Sequence, residues 1–201
     1  LIEKNDRPHA WRLASAITNN LLIALSLIAT VAATAAPLLV KFILAPGFDS
    51  ATQAITVDLM RIMFLSMIIF GVSGLLMGIH NAHHHFLSTS LAPIFYNVGI
   101  IVGALSASQL GVYGLAWGVV LGAALHLVVQ LPALIRHQPH YTFVLDLKDS
   151  AVQQVGKLML PRMFGLAVWQ INFWVNVSIA STLPVGSLSA ITIAFQIFTF
   201  P

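Results

Sequence analysis

Residues 62–135 read IMFLSMIIFGVSGLLMGIHNAHHHFLSTSLAPIFYNVGIIVGALSASQLGVYGLAWGVVLGAALHLVVQLPALI, a run of 74 residues between Arg61 and Arg136 without one Asp, Glu, Lys or Arg. A helix needs about 20 apolar residues to cross a hydrocarbon core of about 30 Å. The run therefore holds three spans once its polar breaks are found. His80-Asn81-Ala82-His83-His84-His85 closes one, and the polar stretch 106–111, with Gly111 at its end, closes the next. The last of the three runs from about Val112 to Ile135.

The same arithmetic extends outward. Between Arg12 and Lys41 lie 28 residues without a charged side chain, enough for one span that Ala45-Pro46-Gly47-Phe48-Asp49 ends. From Met163 to Pro201 there are 39 more. A polar connection runs from Arg136 to Ser150, and Ser150-Ala-Val-Gln153 has the spacing of a capping box that opens the next helix. That helix is expected to reach about Thr182, followed by a tight turn at 183–187 and a further helix from Leu188. The expected fold is all-α: a polytopic transmembrane helix bundle of about five full spans plus a truncated sixth.

Composition agrees. Only 7% of the 201 residues are charged and 58% are apolar, with a mean hydropathy of +0.91. Soluble domains carry about 25% charged residues. These values exclude a water-soluble enzyme, a disordered chain and a nucleic-acid binder. There is no cysteine, so no disulfide or thiolate metal site forms. The chain opens on Leu1 and closes on Pro201 within an apolar stretch, and it reads as an internal piece of a longer protein.

Charge placement sets the expected topology. Lys4, Arg7, Arg12, Arg136, Lys148, Lys157 and Arg162 fall on one side of the alternating spans, and Lys41 and Arg61 on the other. The positive-inside rule puts the first group in the cytoplasm, together with the histidine cluster.

The chemistry-bearing residues are few. His80-x-x-His83-His84 has the form of one histidine box of a membrane di-iron enzyme, and imidazole ligates iron and zinc. Such enzymes need several boxes, and only His137-x-x-His140 follows on that face, so no metal ligand is assigned. The other reading is a polar interfacial loop. No phosphate-binding glycine loop, Gly-x-Ser-x-Gly or pair of membrane carboxylates occurs, and neither a cofactor nor an enzymatic activity is expected. Arg162 either faces a cavity or snorkels to the interface. Asn172 and Asn176 share a helix face, either bonding a neighbouring helix or lining a water-filled cavity; Asn97 and Gln196 are the other polar positions. Pairs of glycines four apart, at 74/78, 99/103 and 114/118/122, predict close helix packing.

Several strings resemble successive motifs of the MurJ (MviN) lipid II flippases. They are Pro46-Gly47-Phe48, Arg61-Ile-Met, Phe70-Gly71-Val-Ser-Gly74, Asn81-Ala82-His83, Leu91-Ala-Pro93-Ile-Phe-Tyr96-Asn97-Val-Gly99 and Gly111-Val-Tyr113-Gly114-Leu-Ala-Trp117-Gly118, then Gln130-Leu-Pro132, Leu160-Pro161-Arg162 and Gln170-Ile-Asn172. They cover nearly the whole chain in order. The resemblance implies the two-lobed fold of the multidrug/oligosaccharidyl-lipid/polysaccharide exporters, working by alternating access in the bacterial inner membrane. Residues 1–136 would be the third to sixth helices of the N-terminal lobe, 137–150 a cytoplasmic connection, and 151–201 the first helix and start of the second helix of the C-terminal lobe. The implied partners are a lipid-linked peptidoglycan precursor and membrane lipids, with any ion coupling supplied by residues outside this chain. Where the family's eighth helix carries an arginine, this chain has Gln196, and a family Asn-or-Asp position in the seventh matches Asn176. Gln196, Asn176, Asn172 and Arg162 are the expected cavity positions. A related exporter of another amphipathic cargo, or a transport-inactive scaffold, are the alternatives.

Overall fold

The computed structural model describes residues 7–136 and 139–199. Lys4, His137 and Pro201 lie outside them. The described chain is helical: α1 Arg7–Leu39, continued by a π-helical turn Val40–Leu44, then α2 Ser50–Ala82, α3 Phe86–Leu110, α4 Val112–Val128, α5 Leu131–Arg136, α6 Ser150–Ala180 and α7 Ser187–Thr199. Five stretches are long and apolar enough to cross a membrane: Pro8–Leu44, Ser50–Ala82, Phe86–Leu110, Val112–Arg136 and Ser150–Ala180. α7, at 13 residues, is shorter than these five. Two compact units form, one from the chain up to Ala33 with Leu59–Val155, the other from Thr34–Asp58 with the chain from Gly156 onward.

In the first unit α3 and α4 make a hairpin joined by Gly111 alone. Its φ of 57° lies in the left-handed region that glycine enters without steric cost. The two helices touch backbone to backbone through the glycines. A Cβ on Gly118 would stand 2.6 Å from Gly103 Cα, and one on Gly103 2.7 Å from the Gly114 carbonyl oxygen. Gly99 faces Gly122 in the same way, and Gly122 meets the Tyr96 backbone. In lipid, where apolar side chains gain little by leaving one apolar medium for another, such close approach supplies the van der Waals contact that holds helices together. The prediction from spacing fails for Gly74 and Gly78, where an added Cβ would meet open space. Spacing alone places two glycines on one face but does not say what that face meets.

Pro37 interrupts α1 and cannot donate to the carbonyl of Ala33, four residues earlier. Arg61 Nε of α2 donates to that carbonyl at 3.2 Å. Arg61, used from sequence to set the sidedness of the spans, thus caps a proline-freed backbone acceptor.

The fourth span is broken rather than continuous. α4 ends at Val128, a turn follows at residues 129–130, and α5 restarts at Leu131 with Pro132 in its first turn, where a missing N–H costs nothing. The histidine cluster also has a local explanation. His85 N–H donates to the His80 carbonyl (2.9 Å) and His84 N–H to the Asn81 carbonyl (3.1 Å), while His84 takes φ 57°. This is a Schellman C-cap of α2 with histidine at the left-handed position.

The opening of α6 differs from the capping-box expectation. Asp149 is the cap, its Oδ1 accepting from Ala151 N–H at 2.7 Å, so Ser150 is the first helical residue. Asp49, before α2, is held below the ordinary carboxylate value chiefly by the side-chain hydrogen bond from Thr52, then by backbone N–H groups. In the second unit Gly47 N–H donates to Ser181 Oγ at 3.2 Å, and a Cβ there would press on Thr182 Cα at 2.6 Å. In the first, the connection before α6 binds the start of α1 through Arg12 and Asp146 at 2.8 Å. The two ends of each tether fall on one side of the membrane by alternation of the spans.

Two measurements test these contacts. Gly118→Ala should lower stability by about 1–3 kcal/mol through overpacking, whereas Gly74→Ala should be neutral or slightly stabilising; thermal unfolding of the reconstituted protein reads both. Arg61→Ala should cost roughly 1 kcal/mol, and that cost should shrink in a Pro37→Ala background, where Ala33 regains its helical donor. An unchanged cost in the double variant would show that Arg61 acts elsewhere.

Candidate functional site

Two polar constellations stand out among the described residues, one in each unit. In the second unit α6 and α7 enclose a cleft of about 370 Å³. Asn172 and Asn176, one turn apart, enter it together. Asn176 Nδ2 donates to the Asn172 Oδ1 at 3.0 Å and to its backbone oxygen at 2.8 Å. The opposite wall carries Thr192 and Phe195. Phe195 lies 5.9 Å from the Trp169 ring and 6.0 Å from that of Phe173, centroid to centroid. The cleft is thus mainly apolar and aromatic with an amide pair on one edge. Such a lining suits an amphipathic molecule whose apolar body packs on rings while a few polar groups set its orientation.

The four residues expected from sequence are not all gathered there. Asn172 and Asn176 line the cleft. Gln196 lies on α7 but off the face formed by Leu188, Thr192 and Phe195. Arg162 is exposed on α6, ten residues before Asn172, which at 1.5 Å per residue is about 15 Å along the axis. Asn97 is turned back on its own helix, its Nδ2 donating to the Pro93 carbonyl at 3.0 Å.

The second constellation was not anticipated. In the first unit Ser73 and His80 of α2, His126 of α4 and Gln130 of the α4–α5 break form one buried chain. His80, Ser73 and Gln130 are 0% exposed and His126 7%. Gln130 Nε2 donates to Ser73 Oγ at 2.6 Å and to the His126 carbonyl at 2.8 Å. Ser73 Oγ lies 2.6 Å from His126 Nδ1, and which of the two donates depends on the tautomer of the ring. His80 Nε2 lies 3.1 Å from the Gln130 carbonyl, which can only accept, so this nitrogen carries a hydrogen. Phe70 covers His126 edge-on at 5.3 Å and meets Tyr96 at 5.0 Å.

His80, read from sequence as part of the histidine cluster, therefore points inward, and His126 sits at the centre of the buried chain. The signal was present in the spacing. Ser73 and His80 are seven apart and His126 and Gln130 four apart, so each pair shares a face of an otherwise apolar helix. Among the described residues, no group of three or more His, Cys, Asp or Glu side chains is placed to hold a metal ion.

Comparison with known proteins adds the family. A protein-family model described as "Lipid II flippase MurJ" matches residues 2–201. A "Lipid II flippase MurJ" from Burkholderia cenocepacia is 31% identical over 209 residues, covering 98% of this chain and 40% of that protein. A "Probable lipid II flippase MurJ" from Rhizobium tropici is 29% identical over 216 residues (100% and 39%). One from Thermotoga maritima is 29% identical over 166 residues (82% and 33%). The chain spans about two fifths of the length of the first two relatives.

Removing the hub of the buried chain should be costly. Gln130→Leu removes one of the Ser73 hydroxyl's partners and the side-chain donor to the His126 carbonyl, and a loss of about 1–3 kcal/mol is expected. Gln109→Leu, at an exposed position, should stay within about 0.5 kcal/mol. Equal effects in thermal unfolding would show that the chain adds nothing to the fold.

Proposed function

Because the chain belongs to the lipid II flippase MurJ family, we propose that it is part of a flippase that moves a lipid-linked peptidoglycan precursor across the bacterial inner membrane by alternating access. The observation that carries this reading is the family match, which runs from residue 2 to residue 201 without leaving an element unassigned. Five membrane-length helices support it. In this reading residues 1–136 belong to the N-terminal lobe, 137–150 connect the lobes in the cytoplasm, and 151–201 begin the C-terminal lobe. The work is conformational. No bond of the cargo is made or broken, so the protein is a transporter and not an enzyme.

Asn172 and Asn176 are then wall positions that orient the cargo by hydrogen bonds, with Trp169, Phe173 and Phe195 against its apolar parts. Gln196 and Arg162 are further polar positions on the same two helices. Amide donors can bind phosphate oxygens but bring neither charge nor the forked geometry of a guanidinium. The pyrophosphate would accordingly be held mainly by arginines elsewhere in the full protein, and any ion coupling would also come from there. One observation favours a second reading, a related exporter with another lipid-linked cargo: Gln196 stands where the family's arginine is expected.

Complementation of a flippase-depleted bacterium by the full-length protein, with lipid II translocation measured in vesicles, separates the two. Under the first reading growth is rescued, Asn172→Leu with Asn176→Leu lowers translocation by roughly tenfold per 1.4 kcal/mol of lost hydrogen bonding, and Gln196→Arg retains or raises it. A stably folded protein that neither rescues growth nor moves lipid II would overturn that reading in favour of another cargo.

A further inference from the structure

The connection between α5 and α6 reads as polar from its sequence, yet its structure is two-faced. Residues 141–145 form no regular secondary structure, and Val144 N–H turns back to the Thr142 carbonyl at 3.0 Å. One edge is fastened to α1. Asn19 Nδ2 donates to the carbonyls of Thr142 (3.3 Å) and Val144 (2.9 Å), Asn20 Nδ2 to that of Leu145 (2.6 Å), and Thr142 N–H donates to Ser15 Oγ at 3.2 Å. Tyr141 adds its hydroxyl to Asn19 Oδ1 at 2.6 Å. Its large side chains nonetheless stay largely uncovered. Phe143 is 77% exposed, Leu147 64%, the Tyr141 residue 62% and Leu145 39%.

Four large apolar side chains thus leave the protein from one short connection, at the ends of two membrane-length stretches, Val112–Arg136 and Ser150–Ala180. That position is the depth of the lipid headgroups, where aromatic rings with a polar tip are favoured. The charges around them are sorted. Asp146 is neutralised by Arg12 at 2.8 Å, and Asp149 is engaged in capping α6. Arg136 and Lys148 are exposed at either end. What faces outward is therefore apolar and basic together, the combination that seats an amphipathic segment on anionic lipid.

We infer that residues 139–149 form a strap that buries Tyr141, Phe143, Leu145 and Leu147 in the headgroup–acyl boundary of an anionic leaflet, with Arg136 and Lys148 against the lipid phosphates. The strap ties the start of α1 to the bilayer surface through the Asn19 and Asn20 bonds. This holds whichever cargo the protein carries.

The chain has no cysteine of its own, so single spin labels can be placed by Phe143→Cys, Leu147→Cys and Val144→Cys. The labelled proteins are reconstituted in phosphatidylcholine vesicles with and without phosphatidylglycerol. At 143 and 147, access of dissolved oxygen should exceed that of a water-soluble nickel chelate several-fold, and the excess should grow with phosphatidylglycerol. At 144 both should be low. Arg136→Gln with Lys148→Gln should abolish the phosphatidylglycerol effect while leaving the label at 144 shielded. Nickel access at 143 and 147 would place the strap in water. Shielding from both reagents there would show that another protein segment or a second copy covers it. Insensitivity to phosphatidylglycerol would remove the anionic leaflet as its partner. Each of these three results overturns the proposal.

Discussion

Inside a bilayer there is no water to complete a broken hydrogen-bond ladder, and each stranded backbone group costs several kcal/mol. Much of the detail in this chain follows from that constraint. Pro37 leaves the Ala33 carbonyl without its helical donor, and an arginine from the next helix reaches it. The α4–α5 break exposes the Gln130 carbonyl, and His80 and the Leu134 N–H both reach it. The end of α2 folds its last donors back into its own final turn through His84 and His85. At these places a particular side chain or backbone turn meets the freed group.

The second consequence concerns packing. Where apolar side chains gain little by leaving lipid, helices hold together by approach, and approach needs small residues. The α3–α4 hairpin uses five glycines for this, and their backbones touch. The buried Ser73–His126–Gln130 chain works in the other register. Each of its polar groups is costly alone, yet linked to the others it joins α2 to the broken fourth span with a directionality that apolar packing lacks. Buried histidines of this kind are functional pointers in membrane proteins, although here their first visible work is structural.

The α6–α7 cleft sets aromatic rings beside a paired amide and carries no charged side chain among its lining residues. The chain spans about two fifths of the length of the first relatives it matches. Under the proposed reading the cleft would take the apolar parts of a cargo, residues elsewhere in the full protein would hold its charged headgroup, and the proposed strap before α6 would meet the bilayer from outside the spans.

The amino-acid sequence alone was enough for the membrane class, for five spans and their ends within a few residues, and for the family, because these depend on local hydropathy, turn residues and motif order. It was also enough to pair Asn172 with Asn176, since four-residue spacing on a helix is itself a geometric statement. It could not tell Gly103, pressed on Gly118, from Gly74, which faces open space, because both show the same spacing. It assigned His80 to an interfacial cluster and did not single out His126, because their partners lie about fifty residues away in the chain. The connection 139–149 looked polar by its flanks, and only the tertiary structure shows it fastened to Asn19 and Asn20 with Phe143 and Leu147 left exposed. What a residue is near along the chain was legible; what it meets across the bundle depends on which helix faces pack together, and only the tertiary structure decided that.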